Sequence, residues 1–275
     1  MANPDRTSLF AAITLLSLLA ACSSRPVYDS GPGPGTRTPS SLPGDAVPRK
    51  ETRSRYGNGP YYEVFGETYK VLETSYGYQE RGVASWYGRK FHGRMTSSQE
   101  PYDMYKMTAA HKTLPLPTYV RVRNLRNNRS IVVRVNDRGP FVDNRLIDLS
   151  YAAAMRLDMI RDGTSLVEVT AISFDDPPAG TRPVNMTSAR PASTPDPEDD
   201  IFVQVGAFGE VGNARRRYTL LRDRGIGPLK VYRDKTTSPA LYLVRIGPIA
   251  DVVQYDSVVE KLQRMGITDT HLVTD

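Results

Sequence analysis

Residues 201–275 contain two copies of one sequence pattern, offset by 41 positions. Val203 and Val205 in the first copy correspond to Val244 and Ile246 in the second, and this offset persists to the end of both copies. Each copy reads as a strand, a helix and a strand, because apolar residues alternate first and then recur at helical spacing. Two such units predict a four-stranded sheet with two helices on one face, a ferredoxin-like (βαβ)2 sandwich.

The other face of that sheet has no helix to cover it. Strand alternation directs Phe202, Gln204 and Arg245 to this face, opposite the valines that meet the helices. A ring, an amide and a guanidinium on an open sheet predict a binding surface. The alternative is an ordinary half-solvated sheet face.

Residues 81–174 predict a second unit that is mainly β. The segments "TYVRVRNL" and "SIVVRV" alternate apolar and polar residues on either side of Asn127-Asn128, which is typical of a hairpin. The segment "LSYAAAMRL" predicts a short helix with Ser150 as its N-cap. Many short strands and little helix indicate a small β-barrel.

Composition divides the remainder of the chain. Residues 22–60 are rich in Pro, Gly and Ser, and residues 175–200 hold six prolines and six acids, so we expect a disordered tether and a disordered linker. Residues 61–80 are aromatic and alternating, which predicts a hairpin packing on the barrel. The barrel segment carries a formal charge of +7 and the repeat +3. By charge alone, nucleic acid, anionic lipid or a cell-wall polymer would each be a suitable partner.

The N-terminus predicts export and lipidation. Residues 1–21 begin with a short polar segment that contains Arg6, and a largely apolar run from Leu9 to Ala21 follows. This run is too short to span a membrane and is typical of a secretory signal peptide. The segment "LAAC" matches a bacterial lipobox, in which the thiol of Cys22 is acylated; a signal peptide that merely contains a cysteine is the alternative. Acyl chains would anchor the chain in a bilayer. Export argues against nucleic acid as the partner.

Few chemistries have a matching motif. The single cysteine excludes a disulfide framework, and the three histidines lack the paired spacing of a zinc site, so we expect neither metal nor cofactor. No nucleophile elbow or phosphate-binding loop occurs. The remaining candidates are carboxyl groups, Glu100 in "RMTSSQEPYDM" and Asp137 in "RVNDRGPF". An aspartate that only closes a turn is the alternative for Asp137. Trp86 and Tyr87 offer rings that stack on sugars, which favours glycoside chemistry.

Two long segments, "GVASWYGRKFHGRMTSSQEPYDMYKMTAAHKTLPLPTYVRV" and "NNRSIVVRVNDRGPFVDNRLIDLSYAAA", resemble the rare lipoprotein A family. The strands "FVQVGAF" and "LVRIGPI" resemble a SPOR domain. The resemblance implies a six-stranded double-psi β-barrel over residues 81–174, joined by the linker to a SPOR domain over residues 201–275. One residue departs from the family pattern: Gln99 stands where a small residue or Gly usually precedes the glutamate.

The resemblance implies a lytic transglycosylase, a lyase that cleaves peptidoglycan between N-acetylmuramic acid and N-acetylglucosamine and leaves a 1,6-anhydro end. It assigns the acid/base role to Asp137, a placing or charge-stabilising role to Glu100, and a hydrogen bond to a carboxylate to His111, for which a structural histidine is the alternative. Glycan-binding residues of the barrel would be Trp86, Tyr87 and Arg138.

The resemblance also implies a location and partners. Ser23 follows Cys22, which in this family implies sorting to the outer membrane, facing the periplasm. A SPOR domain implies binding to glycan strands without stem peptides, and hence enrichment at the division septum, with amidases acting upstream and divisome proteins nearby. A non-catalytic peptidoglycan-binding lipoprotein that organises the septum is the alternative function.

Overall fold

The computed structural model describes residues 30–33, 41–142, 144–174 and 200–274. The predicted signal peptide, Cys22 and nearly all of the predicted 175–200 linker lie outside the described residues. In the part of the chain that is described, none of the helices is both long and apolar enough to cross a membrane.

A two-stranded hairpin precedes the barrel. Strands β1 (Tyr61–Val64) and β2 (Glu67–Lys70) pair antiparallel. Phe65 and Gly66 join them with φ values of 53° and 81°. Positive φ at both central residues is the geometry of a type I′ turn, whose twist matches that of the two strands it joins.

Six strands close the barrel. They are β3 (Gln79–Tyr87), β4 (Thr108–His111), β5 (Thr118–Asn124), β6 (Ser130–Asp137), β7 (Arg145–Ser150) and β8 (Ser165–Ile172), arranged in the order β3-β7-β4-β6-β5-β8. The pairs β3–β7 and β4–β6 are parallel, and the other pairs are antiparallel. The predicted closed barrel of six strands is confirmed.

The barrel interior follows the alternation read from the sequence. Val120 and Val122 of β5 and Ile131 and Val133 of β6 are buried in one apolar cluster, whereas Arg121 points to solvent. Helix α1 (Tyr151–Arg156) leads from β7 to β8, and the Ser150 hydroxyl accepts a hydrogen bond from the backbone N–H of Ala153. The predicted N-cap is confirmed.

The parallel pairing of β4 and β6 brings two acidic residues to one place. Ala110 of β4 pairs with Asp137 of β6 on one side and with Asp148 of β7 on the other. Neighbouring strands are spaced about 4.8 Å apart, so these two aspartates flank Ala110 on adjacent strands.

The C-terminal repeat forms the predicted sandwich. Its elements are β9 (Ile201–Phe208), α2 (Val211–Asp223), β10 (Leu229–Asp234), β11 (Leu241–Ile246), α3 (Val252–Arg264) and β12 (His271–Thr274), and the sheet order is β10-β11-β9-β12. The repeated apolar positions Val203, Val205, Val244 and Ile246 share one core with the helices. This order and helix placement are those of a ferredoxin-like fold.

Residues 41–60 correct one expectation. The sequence predicts a disordered tether over residues 22–60, but residues 41–60 lie along the barrel without regular secondary structure. The N–H of Ala46 donates to the carbonyl of Val132 at 3.0 Å, and the N–H of Ser54 donates to that of Leu116 at 2.8 Å. Ordering this Pro- and Gly-rich segment costs conformational entropy, and its composition offers little apolar surface to offset that cost. Backbone hydrogen bonds and ion pairs to the barrel offset it instead.

Candidate active site

The carboxyl group of Asp137 is oriented by three donors. Its Oδ1 accepts hydrogen bonds from the N–H and the Oγ of Ser97, each at 2.8 Å, and from the N–H of Arg138 at 2.8 Å. Within the described ranges, Oδ2 receives no hydrogen bond from the protein. Because Oδ1 is occupied by donors, Oδ2 is the oxygen on which a neutral carboxyl would carry its proton.

Residues 96–100 connect this aspartate to Glu100. The N–H of Thr96 donates to the carbonyl of Glu100 at 2.8 Å, and the Thr96 hydroxyl accepts from the N–H of Glu100 at 3.2 Å. Gln99 has a φ of 64°, in the left-handed region. Glycine adopts this region at no steric cost, so the departure at Gln99 introduces local strain while the tight loop is retained.

Glu100 is bound by a guanidinium and an amide. Arg134 Nη1 donates to its Oε2 at 2.7 Å and Nη2 to its Oε1 at 3.0 Å, and Asn136 Nδ2 donates to Oε2 at 2.8 Å. Burial would raise the pKa of Glu100, but the hydrogen bonds from Arg134 and Asn136 lower the pKa below its usual value. Glu100 is therefore an ionised group near neutral pH.

Asp148 is a site residue that the sequence analysis did not single out. The Ser85 hydroxyl donates to its Oδ1, and Arg145 Nη1 donates to that hydroxyl at 2.9 Å. Burial raises the pKa of Asp148, and the negative charge of Asp137 raises it further. Like-charge neighbours of this kind are common at catalytic centres, so Asp148 joins the candidate site. Its signal in the sequence was a charged residue inside the apolar run "RLIDLS".

His111 does not meet a carboxylate, which corrects the expectation from the resemblance. Its Nδ1 accepts from the N–H groups of Thr113 and Leu114 at 3.2 and 3.1 Å, and its Nε2 lies 2.8 Å from the hydroxyl of Tyr78. Burial, together with the charges of Arg138 and Lys112, lowers the pKa of His111 to about 3. The neutral imidazole of His111 orders the end of strand β4, which agrees with the alternative that His111 is a structural histidine.

Trp86 and Tyr87 are both buried, so the structure does not present their rings as a sugar-stacking surface. Trp86 lies in the barrel core with its ring edge-on to Tyr151. Tyr87 stacks on Tyr102 at a centroid distance of 4.1 Å. Half-exposed rings lie instead beside the "DRGPF" turn, where Phe141 packs 5.6 Å from Tyr69.

Arg138 is buried, and its guanidinium is used in contacts within the protein. Its Nη1 donates to the carbonyls of His111 and Leu114 at 3.1 and 2.6 Å, and its Nε donates to the carbonyl of Gly57 at 2.9 Å. Burial lowers the pKa of Arg138 to about 10. The residue ties the segment before the hairpin to the barrel, so its glycan-binding assignment is not supported by its position.

Comparison with known proteins places this geometry in a family. The lytic transglycolase family model matches residues 79–169, and the SPOR domain model matches residues 197–271. The endolytic peptidoglycan transglycosylase RlpA of Pseudomonas aeruginosa (strain UCBPP-PA14) is 35% identical over 297 residues, which cover 84% of this chain and 86% of that protein. The chain belongs to the RlpA family of endolytic peptidoglycan transglycosylases.

Two further RlpA relatives match more closely over shorter stretches. The Vibrio cholerae protein is 48% identical over 176 residues, which cover 63% of this chain and 66% of the relative. The Helicobacter pylori (strain J99) protein is 51% identical over 113 residues, which cover 41% of this chain and 36% of the relative. The RlpA family therefore accounts for the closed barrel as a double-psi β-barrel and for the C-terminal sandwich as a SPOR domain.

The helix-free face of the SPOR domain differs from the expectation at one residue. Gln204 and Arg245 are partly exposed there, and Arg245 lies over the ring of Tyr232 at 4.7 Å. Phe202 lies on the same face but is fully buried, with Lys230 above its ring at 5.1 Å. Gly247 permits this burial, because a Cβ there would come within 2.7 Å of the Phe202 ring. Phe202 is thus a packing residue, and Tyr232 is a partly exposed ring on the same face.

Metal chemistry receives no support from side-chain clusters in the described ranges. Over residues 30–33, 41–142, 144–174 and 200–274, no group of three or more His, Cys, Asp or Glu side chains is placed to bind an ion. The candidate active site consists of Asp137 with Ser97, and of Glu100 with Arg134 and Asn136, with Asp148 alongside.

Proposed function

We propose that this chain is a lytic transglycosylase in which Asp137 transfers the proton and Glu100 remains a carboxylate. The observation that carries the proposal is the asymmetry between the two groups. Glu100 accepts three hydrogen bonds, two of them from a charged guanidinium and one from an amide, whereas the three donors to Asp137 are neutral groups, the hydroxyl and N–H of Ser97 and the N–H of Arg138. Environments that separate two carboxyl groups in this way assign the acid and the ion.

The reaction needs one proton carrier and no water. The proton on Oδ2 of Asp137 goes to the glycosidic oxygen, and the bond from that oxygen to C1 of N-acetylmuramic acid breaks. Positive charge then develops on the sugar ring, where the carboxylate of Glu100 stabilises it. Asp137, now a carboxylate, takes the proton of the 6-hydroxyl as O6 bonds to C1. The products are a 1,6-anhydro end and a free 4-hydroxyl, and Asp137 is protonated again.

We further propose that the enzyme is a lipoprotein of the outer membrane that faces the periplasm and acts at the division septum on strands without stem peptides. The lipobox at Cys22 supports the anchor, and the match to a SPOR domain over residues 197–271 supports the targeting. The partly exposed groups of Gln204, Tyr232 and Arg245 suit the hydroxyl and N-acetyl oxygens of a bare glycan. Amidases that strip stem peptides would then act upstream, and divisome proteins would be neighbours.

A non-catalytic peptidoglycan binder is the second candidate, and the match to a SPOR domain over residues 197–271 favours it, because that domain would bind glycan without any turnover in the barrel. Purified wild type and D137N are incubated with amidase-treated sacculi, and the products are analysed by mass spectrometry. We expect 1,6-anhydro glycans from wild type and at least a thousandfold fewer from D137N, with glycan pull-down unchanged. Wild type that binds strands and releases no anhydro product would establish the binder instead.

A further inference from the structure

We propose that Glu51, which lies outside the matched barrel, is a positioning residue of the active site. The inference rests on the proposed function and deepens it, because Glu51 would set the guanidinium that holds Glu100. The segment 41–60 would then be a working part of the site as well as the connection to the membrane anchor.

The contacts show one guanidinium shared by two carboxylates. Arg134 Nε donates to Oε1 of Glu51 at 3.1 Å, and Nη2 donates to its Oε2 at 2.8 Å. The adjacent edge of the same guanidinium, Nη1 with Nη2, faces Glu100, so Nη2 donates to both carboxylates. A guanidinium is a rigid planar fork, so fixing the Nε edge on Glu51 fixes the edge that Glu100 receives.

Glu51 is the inner partner and Glu100 the outer one. The side chains of Glu51 and Arg134 are each 18% exposed, whereas that of Glu100 is 41% exposed. The hydroxyl of Tyr119 also donates to Glu51. Burial would raise the pKa of Glu51, but the hydrogen bonds from Arg134 and Tyr119 lower it to about 2, so Glu51 is charged throughout the neutral range. Glu51 and Arg134 thus lie deeper than the solvent-facing carboxylate of Glu100, and Arg134 binds both carboxylates.

Glu51 lies 83 positions before Arg134 in the chain and 28 positions before the family-model match begins at residue 79. Its segment is anchored independently of this contact. Arg156 Nη2 lies 3.1 Å from Oδ1 of Asp45, and Arg156 Nη1 donates to the carbonyl of Pro43 at 2.7 Å. Asp45 thus holds the same segment on helix α1, away from Glu100, and provides a matched control for Glu51.

The direction in which the pKa of Glu100 changes distinguishes a positioning role of Glu51 from other effects of its replacement. Its negative charge opposes the ionisation of Glu100, so replacing it by a neutral amide removes a factor that raises the pKa of Glu100. The neutral amide also orients Arg134 less firmly. A loosened Arg134 donates weaker hydrogen bonds to Glu100, and these bonds influence its pKa more than the charge of Glu51 does. If Glu51 positions Arg134, E51Q should therefore raise the pKa of Glu100 and weaken turnover at the same time, whereas loss of the Glu51 charge alone would lower the pKa.

The test compares E51Q with D45N in the full chain from which the signal peptide has been removed. The titration of the Glu100 side-chain carbon is followed by NMR, with E100Q used to assign its signal, and kcat is measured against pH on stripped glycan strands. We expect E51Q to shift the Glu100 titration upward and to lower kcat about fivefold with little change in KM. D45N should leave the Glu100 titration unchanged and kcat within twofold of wild type.

The outcomes separate the two proposals. A Glu100 titration that is unchanged or shifted downward in a folded E51Q protein would overturn the positioning role, whether or not the enzyme turns over. Equal shifts in E51Q and D45N would also overturn it, because a general effect of the segment would then explain both. Absence of turnover in wild type would refute the proposed function and leave the NMR comparison to decide the role of Glu51.

Discussion

The SPOR domain follows from a repeated sequence pattern, whereas the candidate site in the barrel depends on contacts between distant parts of the chain. In the SPOR domain, two local β-α-β units repeat one pattern, and Val203 and Val244 occupy equivalent core positions. In the barrel, the contacts that shape the site join distant parts of the chain, such as Arg138 to Gly57 and Arg134 to Glu51. The repeated core positions are visible as a periodicity in the sequence, whereas a site made of long-range polar contacts depends on partners that are far apart in the chain.

The largest effect should come from the barrel. R138M removes a buried guanidinium and leaves the carbonyls of Gly57, His111 and Leu114 without their donor. We expect the free energy of unfolding of the barrel to fall by about 3–5 kcal/mol. Chemical denaturation followed by the fluorescence of Trp86 measures it.

The control for this substitution is R121M, on a solvent-facing position of β5. Its cost should stay within about 0.5 kcal/mol. Similar losses in the two variants would show that the buried contacts of Arg138 contribute little, and the contrast between the two domains would then lose its main support.

A smaller effect is expected in the SPOR domain from G247A. Gly247 has a φ of 144°, and an added Cβ would meet the ring of Phe202 at 2.7 Å and the carbonyl of Ile201 at 2.9 Å. We expect a destabilisation of about 2–3 kcal/mol that is confined to this domain, visible by hydrogen exchange as lost protection in β9 and β11.

G212A, at a helical position with open space, serves as the control and should be neutral or stabilising by up to about 1 kcal/mol. If G247A instead reduced protection in the barrel strands, the two domains would not be energetically separate.

The smallest effect concerns the loop of Glu100. Q99G relieves the left-handed backbone at a φ of 64° and should stabilise the protein by up to about 1 kcal/mol, measured as a rise in the denaturation midpoint. The same change at Gln79, in strand β3, should destabilise it by about 0.5–1 kcal/mol. A destabilising Q99G would mean that the side chain of Gln99 contributes contacts that outweigh its backbone strain.

The sequence predicted what depends on periodicity. The alternation of Val120, Val122 and Ile131 predicted the inner wall of the barrel, and the offset of 41 positions predicted the sandwich. It also singled out Glu100 and Asp137, although their catalytic roles stay predictions. Both carboxyl groups are held by the neighbouring loop and strand, through Ser97 and Asn136.

What could not be predicted is how long-range contacts use each polar residue. Trp86 and Arg138 read as groove residues because their types suit sugars, yet burial makes one a core ring and the other a tie between segments. Glu51 stands in a Pro- and Arg-rich stretch, and only the fold brings it to Arg134. Phe202 is on the predicted face, but its ring is buried because Gly247 has no Cβ to occupy that space.

Glu100 acts as a carboxylate in the proposed mechanism, and R134Q tests this ionic state most directly. Removing the guanidinium removes the donor that lowers the pKa of Glu100, so the pKa should rise. Activity that requires the carboxylate should then be lost at a higher pH than in wild type as the pH falls. We expect the acidic limb of the kcat/KM profile on stripped glycan strands to move to higher pH and the basic limb to stay in place. An acidic limb that does not move in folded R134Q would contradict the assignment of Glu100 as the ion beside Asp137.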